Sequence, residues 1–386
     1  MKELFLLNPD VIYLNHGSFG ATPRAVFRVY QKWQRELERQ PTHFFSTILP
    51  EKLAQVKHIL SRYLNADENS IILLPNVTFA INMIARSMNL KPGDEILATD
   101  HEYGACHLIW RFICQKTGAK YIQQHLTLPF CTKDDLIKQF WCGVNQRTKL
   151  IFISHITSPT AMILPVQEIC HMAREAGILS FVDGAHAPGQ IPVSLKDIDA
   201  DFYAGNCHKW MLAPKGSAFL YARSDKQHLV EPLIVSWGWG ANESTQSTIA
   251  CLNQFEWIGT RDPSAYLSIP SAIHFQEEYQ WGKVQTKCHQ LLKETIDQLI
   301  SLTGLQPLSL AIDDHHAQMG IAPLPEINHP SELKSRLSQE YCIEIPITQW
   351  NNRFFLRISV QGYNTREDLQ KLVIALENLL PLYTST

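Results

Sequence analysis

Short runs of apolar residues without polar alternation recur along residues 1–225. They predict strands at 70–74, 95–99, 150–154, 178–182 and 216–221. Strands that are apolar on both faces are typical of a parallel sheet covered by helices on each side. The pattern therefore predicts an α/β fold with a mostly parallel sheet.

Amphipathic helical patterns separate these strands. Thr22 and Pro23 suit the cap and the first position of a helix that continues to Leu37. Three further helices are predicted, at 77–87, 103–116 and 165–176. The helix at 165–176 connects two predicted parallel strands, so we expect a right-handed crossover there.

The pattern changes near residue 255. Beyond it come long helical patterns at 270–303, short strand patterns at 341–345 and 354–359, and a closing helix at 366–380. This succession predicts a smaller α+β domain. We expect a segment at 1–20 that contributes to the active site and the small domain, a large domain at 21–255 and the small domain at 256–386.

Composition and charge exclude several classes of partner. The 386 residues are 45% hydrophobic and 18% charged, with a net charge of −3, so the basic excess of a nucleic-acid-binding protein is missing. Apolar runs of 18 residues are absent, and the N-terminal apolar stretch of four residues is short for a signal sequence. We expect no membrane span and no secretion. The nine cysteines include no Cys-x-x-Cys pair, which favours reduced thiols in the cytoplasm.

Polar side chains follow four of the predicted strands at the point where each strand ends. They are Asn76-Val77-Thr78, His101-Glu102-Tyr103, the segment 155–158 that ends in Ser158, and Asp183 with His186. Ligands of open parallel sheets bind beyond the carboxyl ends of the strands. The sequence therefore predicts one site at this edge of the sheet.

The start of the helix at 77–87 suits a phosphate. Free backbone N–H groups and the positive end of the helix dipole attract anions there, and Thr78 adds a hydroxyl donor. The alternative is an ordinary helix cap without a ligand.

Asp183 and Lys209 indicate the cofactor. Asp183 ends an apolar strand, and Lys209 follows His208 in a short segment. A carboxylate for a pyridinium nitrogen and an amine for a Schiff base are what pyridoxal 5'-phosphate (PLP) requires of a protein. The alternatives are an aspartate that caps a turn and a solvated loop lysine. His208 is a further candidate donor to the phosphate.

At these residues the chain resembles the class V aminotransferase family of PLP-dependent enzymes. The shared landmarks are Val-Asp-Gly-Ala-His at 182–186, His-Lys at 208–209, Leu-Arg-Ile-Ser at 356–359 and Tyr-Asn-Thr at 363–365. The segments 13–20 and 101–105 are similar to the isopenicillin N epimerase-like branch. The resemblance implies fold type I: a seven-stranded, mostly parallel sheet in an α/β/α sandwich and a smaller α+β C-terminal domain.

The resemblance also implies a role for each site residue. Tyr103 would stack on the PLP ring, and His186 would bind its phenolic oxygen. Asn206 and His208 would lie at the phosphate, and Arg357 would grip the substrate carboxylate, with Ser158 and His16 nearby. Thr260 would reach the phosphate of a neighbouring subunit, which implies a homodimer with shared active sites.

Several reactions share these residues and remain open. Lys209 would remove the α-proton of an amino acid, and an epimerase needs a second acid on the opposite face, for which Tyr103 and His16 are candidates. A C–S lyase needs a leaving group instead, and an aminotransferase returns the proton to the cofactor. Persulfide chemistry is disfavoured because no cysteine lies between Pro346 and Leu356. Cys342 lies in a predicted strand, where we expect it to be buried.

Two other classes of function are disfavoured. A non-catalytic relative would be expected to have lost Lys209 or Asp183, and a dinucleotide-binding dehydrogenase would carry Gly-x-Gly-x-x-Gly after its first strand. We predict no metal site: Asp313-Asp-His-His316 is expected to be a solvated loop. The aromatic segment 237–240 is expected either to line the substrate entry or to pack as a loop.

Overall fold

The computed structural model describes residues 1–127, 129, 132–239, 254–308 and 316–383. The strands in these ranges are β1 (Ile12–Tyr13), β2 (Ile71–Leu74), β3 (Glu95–Thr99), β4 (Lys120–Gln124), β5 (Thr148–Ser154), β6 (Leu179–Asp183), β7 (Phe202–Asn206), β8 (Ala218–Ala222), β9 (Met319–Pro323), β10 (Ile343–Glu344), β11 (Ile347–Trp350) and β12 (Arg353–Ser359). The α-helices are α1 (His16–Phe19), α2 (Arg24–Arg39), α3 (Pro41–His43), α4 (Leu49–Tyr63), α5 (Val77–Ser87), α6 (Gly104–Thr117), α7 (Lys133–Trp141), α8 (Val166–Glu175), α9 (Leu195–Ile198), α10 (Ser264–Leu267), α11 (Ile269–Glu278), α12 (Trp281–Thr303), α13 (Pro330–Tyr341) and α14 (Arg366–Leu379).

A seven-stranded sheet with the order β2-β8-β7-β6-β5-β3-β4 forms the centre of the molecule. Only β8 runs antiparallel to its neighbours, β2 and β7, whereas the other pairs are parallel. The predicted fold class is confirmed. Strands β4 and β7 were not predicted from the pattern, because β4 is a polar edge strand with exposed positions and β7 contains Gly205 and Asn206.

Helices cover both faces of this sheet, and successive strand residues alternate between the two hydrophobic cores. In β6, Phe181 belongs to the core that contains Ala80 of α5 and Trp110 of α6, whereas Val182 belongs to the core that contains Ile169 of α8. This alternation follows from the two-residue period of a strand. Asp183 therefore points to the same face as Phe181, toward α5 and α6.

A three-stranded antiparallel sheet with the order β11-β12-β9 lies in the C-terminal part. Asn351 and Asn352 connect β11 to β12 in a two-residue turn with φ of 47° and 58°. Asparagine tolerates this left-handed region better than most residues, and such turns match the twist of hairpin strands. The N-terminal segment joins this part, because β1 pairs with β10 and Asn15 bridges to Ser359.

Two local predictions were wrong. The first helix begins at Arg24, and the Thr22 hydroxyl donates to the carbonyl of Ala213 instead of capping the helix. The predicted strand at 341–345 is only two residues long, and Cys342 ends α13 as an exposed residue with φ of 56°. The helical prediction at 270–303 is confirmed: the segment forms α11 and α12, separated at Gln280 with φ of 49°.

Two loops with distinctive residues also differ from expectation. Trp237 is 87% exposed and Trp239 57% exposed, so the packed-loop interpretation is wrong for these two side chains. Most of the Asp-Asp-His-His segment lies outside the described residues. Its last member, His316, is buried rather than solvated. The proposed domain boundaries stay a prediction.

Across the described residues, none of the helices has the length and apolar character that a membrane crossing requires.

Candidate active site

Lys209 and His186 meet at the carboxyl edge of the central sheet. Lys209 lies in the turn after β7 and His186 in the turn after β6, and the lysine Nζ is 3.2 Å from the histidine Nε2. The indole N–H of Trp210 donates to Nδ1 of the same ring at 3.4 Å. Because Nδ1 accepts, a neutral His186 carries its proton on Nε2 and directs it toward the lysine amine.

The amine of Lys209 lies in an environment that favours its neutral form. Burial lowers its pKa to about 8, the charge of Asp183 opposes this shift, and the charge of Arg357 adds to it. Burial and the neighbouring lysine also hold the pKa of His186 well below its usual range. A neutral imidazole beside an amine that is readily deprotonated suits Schiff-base and proton-transfer chemistry.

Asp183 is a buried carboxylate held by two donors. Its Oδ1 accepts from the Ala185 N–H at 2.9 Å, and its Oδ2 accepts from the thiol of Cys106 at 3.4 Å. Burial raises the pKa of Asp183, whereas the Ala185 N–H, the charge of Lys209 and the Cys106 thiol lower it. The carboxylate is thus oriented and desolvated, which suits a partner that bears a proton on a ring nitrogen.

Glu102 is a second buried carboxylate at this edge. It accepts from Thr99 Oγ1 at 2.7 Å and from the Ser154 N–H at 3.2 Å, and it also bonds to the Ser154 hydroxyl. Burial raises its pKa to about 7. The sequence placed Glu102 at this strand end but assigned it no role, because a single carboxylate carries no pattern that reveals its burial.

The predicted phosphate residues gather at the start of α5. Asn206 accepts from the Val77 N–H at 3.1 Å, and Asn76 caps the helix by accepting from the Phe79 N–H at 2.9 Å. Thr78 is exposed, and its N–H and hydroxyl make no hydrogen bond to any described residue. Thr78 therefore offers two donors at a helix N-terminus, whereas both asparagine oxygens are already engaged.

His208 is half-buried beside this helix start. Its Nδ1 donates to the carbonyl of Ser217 at 2.9 Å, and burial lowers the pKa of His208 to about 4. An anion near Nε2 would raise this pKa, because it stabilises the charged imidazolium.

Arg357 lies on β12, and not all of its N–H donors are engaged. Its Nη1 donates to the Ser158 carbonyl at 2.7 Å and to the Ser158 hydroxyl at 3.1 Å, and its Nη2 donates to Ser18 Oγ at 2.7 Å. Its buried Nε has no partner among the described residues. Burial lowers the pKa of Arg357 to about 10. A buried guanidinium with a free N–H suits a carboxylate ligand. Ser18 was not predicted, although it lies in the N-terminal segment that carried the resemblance.

His16 is fully buried between the two parts of the molecule. Its Nε2 lies 3.1 Å from the Lys209 carbonyl oxygen, and its Nδ1 lies 3.0 Å from the Tyr363 hydroxyl and accepts from the Ala21 N–H at 3.3 Å. Burial lowers the pKa of His16 to about 3. Both ring nitrogens are engaged within the protein, so the structure connects His16 to the backbone of Lys209.

The remaining predicted residues lie nearer the surface. Tyr103 precedes α6, is 49% exposed and lies within electrostatic range of Arg357. Thr260 is exposed in the turn before α10, in a segment whose Asp262 accepts from Gln34 at 2.9 Å. In the described part of the chain, no group of three or more histidine, cysteine or acidic residues is arranged to hold a metal ion.

The arrangement fits PLP on its own chemistry. A buried carboxylate, a partly buried amine of lowered pKa, the unengaged donors of Thr78 at a helix N-terminus and an orphaned arginine N–H lie around one edge of the sheet. These groups match the ring nitrogen, the aldehyde, the phosphate and the substrate carboxylate, in that order.

The model of the family described as aminotransferase class-V matches residues 12–372. The chain belongs to the class-V aminotransferase family. It is a PLP-dependent enzyme of fold type I, and the predictions of family, fold and cofactor are confirmed.

This class-V enzyme is similar to proteins of different named activities. It is 33% identical to an isopenicillin N epimerase of Amycolatopsis lactamdurans over 98% of this chain and 97% of the relative. It is 28% identical to a probable chloroplastic L-cysteine desulfhydrase of Arabidopsis thaliana over 97% and 84%. A mutant of the C–S lyase C-DES with glycine covalently linked to PLP superposes with a TM-score of 0.82 at 21% identity, over 98% and 99% of the two chains.

Proposed function

We propose that this class-V enzyme acts at the α-carbon of an α-amino acid as an isopenicillin N epimerase-like isomerase. The observation that carries the proposal is the pair formed by the partly buried Lys209 and the buried His186. Their nitrogens are 3.2 Å apart, and Asp183 and Arg357 both act electrostatically on the lysine. An amine poised for proton transfer and a carboxylate-binding arginine are the two groups that such a reaction requires.

The proposed cofactor residues combine the family resemblance with the chemistry that each side chain offers. Bound PLP supplies an aldehyde carbon for the amine and an electron-withdrawing ring that stabilises negative charge on the α-carbon. Asp183 would hold the ring nitrogen, His186 the phenolic oxygen, and Thr78 with His208 the phosphate. Asn76, Val77 and Asn206 would hold the helix start that presents Thr78, because their hydrogen bonds fix it internally.

Arg357 and Lys209 would divide the work on the substrate. Arg357, braced by Ser158 and Ser18, would bind the α-carboxylate and leave the α-hydrogen pointing at Lys209. Lys209 would then remove this proton as a neutral amine. Its lowered pKa keeps a useful fraction of that form near neutral pH.

Inversion requires an acid on the face opposite Lys209, and Tyr103 is the better of the two candidates. Its side chain is half-exposed and lies close enough to Arg357 to influence its charge. His16, by contrast, has both nitrogens engaged and a pKa of about 3. We therefore assign proton return to Tyr103 and positioning of the lysine turn to His16.

A C–S lyase that eliminates a β-substituent is the second candidate. The observation in its favour is the β11–β12 hairpin, whose tight turn at Asn351 and Asn352 carries no cysteine that could take up sulfur. A β-elimination needs no such cysteine, so this geometry permits a lyase and argues against persulfide transfer. The named activity of the desulfhydrase relative points the same way.

We also propose a cytoplasmic homodimer with shared sites. Large apolar side chains are exposed, among them Leu108 and Phe112 on α6 and Trp237. A second copy would cover this surface, and Thr260 is exposed and able to contact a partner.

Incubation of the PLP-loaded enzyme with single amino acids in D₂O tests the reaction. Epimerisation predicts α-deuterium in both enantiomers, and elimination predicts a keto acid with loss of the β-substituent. Transamination predicts a keto acid with the carbon skeleton intact. A panel that includes cysteine, cystine and amino acids with long polar side chains separates these outcomes by mass and chiral chromatography. Loss of the α-carboxylate as CO₂, with no α-exchange, would contradict the proposal.

A further inference from the structure

Asp183 contacts a cysteine for which no function is assigned. Cys106 lies in the first turn of α6, is 2% exposed, and donates its thiol to Asp183 Oδ2 at 3.4 Å. The other oxygen accepts from the Ala185 N–H. A thiol is a weak donor, so it orients the carboxylate and stabilises its charge only modestly.

Glu102 approaches the same carboxylate through Ser154. Ser154 pairs with Asp183 in the β5–β6 ladder, and residues that pair in neighbouring strands point to the same face of a sheet. The carboxylate of Glu102 bonds to the hydroxyl and the N–H of Ser154. Glu102 therefore adds a second negative charge beside Asp183, on the face that also holds Cys106.

We propose that Cys106 and Glu102 are an opposed pair of positioning residues that sets how strongly Asp183 holds the proton on the ring nitrogen of PLP. The inference deepens the proposed function and rests on the role given there to Asp183. The Cys106 thiol stabilises the ionised carboxylate of Asp183, so that this carboxylate attracts the proton on the ring nitrogen less strongly. The neighbouring negative charge of Glu102 destabilises the ionised form of Asp183, so that Asp183 attracts this proton more strongly.

Four titratable groups on the surrounding elements interact electrostatically with Asp183. Cys106 and Lys209 lower its pKa, and Glu102, Cys106 and Tyr203 each have a pKa that the charge of Asp183 raises. Glu102 differs from the others, because its pKa of about 7 lies in the working range. Its charge, and with it its influence on Asp183, is present above pH 7 and is lost as the pH falls below that value.

The thiol contact can be tested in the cofactor-free protein. The S–H stretch lies in a clear region of the infrared spectrum and moves to lower frequency when the thiol donates to a carboxylate. We expect Cys106→Ala to remove a low-frequency component, and Asp183→Asn to move that component upward. Cys114→Ala is the matched control, because Cys114 is buried on the same helix and burial is the only cause of its raised pKa.

The effect on the cofactor can be read from the ring-nitrogen resonance of bound ¹⁵N-labelled PLP. We expect Cys106→Ala to shift it toward the pyridinium position and Glu102→Gln to shift it toward neutral pyridine. Cys106→Ser should lie on the opposite side of the wild type from Cys106→Ala, because a hydroxyl is the stronger donor. The Glu102→Gln shift should appear above pH 7 and vanish below it. Glu95→Gln, at the amino end of β3, is the control for loss of a buried carboxylate.

The outcomes separate the two proposals. Melting temperatures first show whether both variants fold. Ring-nitrogen resonances that move in opposite directions in Cys106→Ala and Glu102→Gln then support the pair. Shifts of the same sign, or none while Asp183→Asn shifts the resonance, overturn the pair and leave the proposed function intact. A ring-nitrogen signal that Asp183→Asn does not change overturns the role of Asp183, and the pair with it.

Discussion

The Nε2 of His16 lies 3.1 Å from the main-chain carbonyl oxygen of Lys209. The N-terminal segment thus holds the backbone of the residue whose side chain is proposed to bind PLP. Gly20 belongs to the same contact, since a Cβ at this position would lie 2.1 Å from the carbonyl oxygen of His208. The contact joins sequence positions 16–20 to the turn at 208–209 and holds the lysine through its main chain.

If His16 positions the backbone of Lys209, its alanine variant should lose α-exchange and inversion to the same extent. His16→Ala removes one of the two donors to the Lys209 carbonyl, which keeps its bond from the Leu212 N–H. It also leaves the Tyr363 hydroxyl without its partner, and a buried polar group left unpaired costs about 1–3 kcal/mol. We expect lower thermal stability and slower α-exchange and inversion in equal proportion. Tyr363→Phe, which removes only one partner, is the milder companion. A His16→Ala enzyme that exchanges normally but does not invert would instead make His16 the second acid.

Capture of PLP by the cofactor-free enzyme should depend on pH through Lys209. Only the neutral amine attacks an aldehyde, and the pKa of Lys209 is lowered to about 8. Below pH 8 the rate should fall about tenfold per unit, and above it the rate should level off. Asp183→Asn removes a charge that raises this pKa, so its plateau should begin at lower pH.

Stopped-flow absorption of the bound cofactor measures this profile, and borohydride reduction with peptide mapping identifies the residue. A midpoint near 10.5, the ordinary lysine value, would contradict a desolvated amine. Label on Lys215, the next lysine in the chain, would contradict the assignment itself.

Hydrophobic patterning was enough to predict most of the central sheet and the helices that follow its strands. The run at 178–182 placed Asp183 at the carboxyl edge because continuous apolar strands belong to covered parallel sheets. Strand β4 was not predicted, because its exposed edge position permits the polar sequence Lys-Tyr-Ile-Gln-Gln. Residue type alone could not show that Cys342 is exposed, since its surroundings depend on where α13 ends.

Residues of the candidate site could be predicted where the residue type alone indicates the chemistry. They could not be predicted where the role depends on a tertiary contact. Lys209, Asp183 and Arg357 have few alternatives as amine, carboxylate and carboxylate-binding group. The roles proposed for Ser18, Cys106 and Trp210 rest on tertiary contacts between distant segments. Such contacts leave no periodic signal in a single sequence.

Trp210 should control the proton position on His186. Its indole N–H donates to Nδ1 at 3.4 Å and leaves the proton on Nε2, facing the amine. Trp210→Phe retains the ring and removes this donor. We expect an approximately 3–30-fold loss in kcat and a shifted absorption maximum of bound PLP, because His186 is freed to adopt the other tautomer.

Trp281→Phe is the matched control for this variant. Trp281 is equally buried, and its indole nitrogen has no hydrogen-bond partner among the described residues. It should lose packing energy alone. A Trp210→Phe enzyme with the spectrum of the wild type and the stability of Trp281→Phe would show that the indole N–H has no role.

Arg357 should matter to the substrate and not to the cofactor. Arg357→Lys keeps a positive charge but loses the fork that Ser158 and Ser18 orient. We expect kcat/KM to fall about 10²–10³-fold with PLP affinity nearly unchanged, which corresponds to about 3–4 kcal/mol of lost carboxylate binding. Arg353→Ala, on the same strand and stacked on Phe355, is the control and should have wild-type kinetics. Equal losses of PLP and amino-acid binding in Arg357→Lys would make the residue structural.

If Tyr103 returns the proton as proposed, its hydroxyl should decide whether the enzyme inverts its substrate. Lys209 can exchange the α-hydrogen from its own face without help, whereas inversion needs a proton from the opposite face. Tyr103→Phe keeps the aromatic plate and removes the acid, a step worth about 10²–10⁴-fold in typical enzymes. We therefore expect α-deuterium to enter the original enantiomer at near wild-type rate, while the opposite enantiomer disappears. Chiral chromatography with mass detection measures both in one sample. Equal loss of exchange and inversion would limit Tyr103 to stacking, and unchanged inversion would remove it from the chemistry.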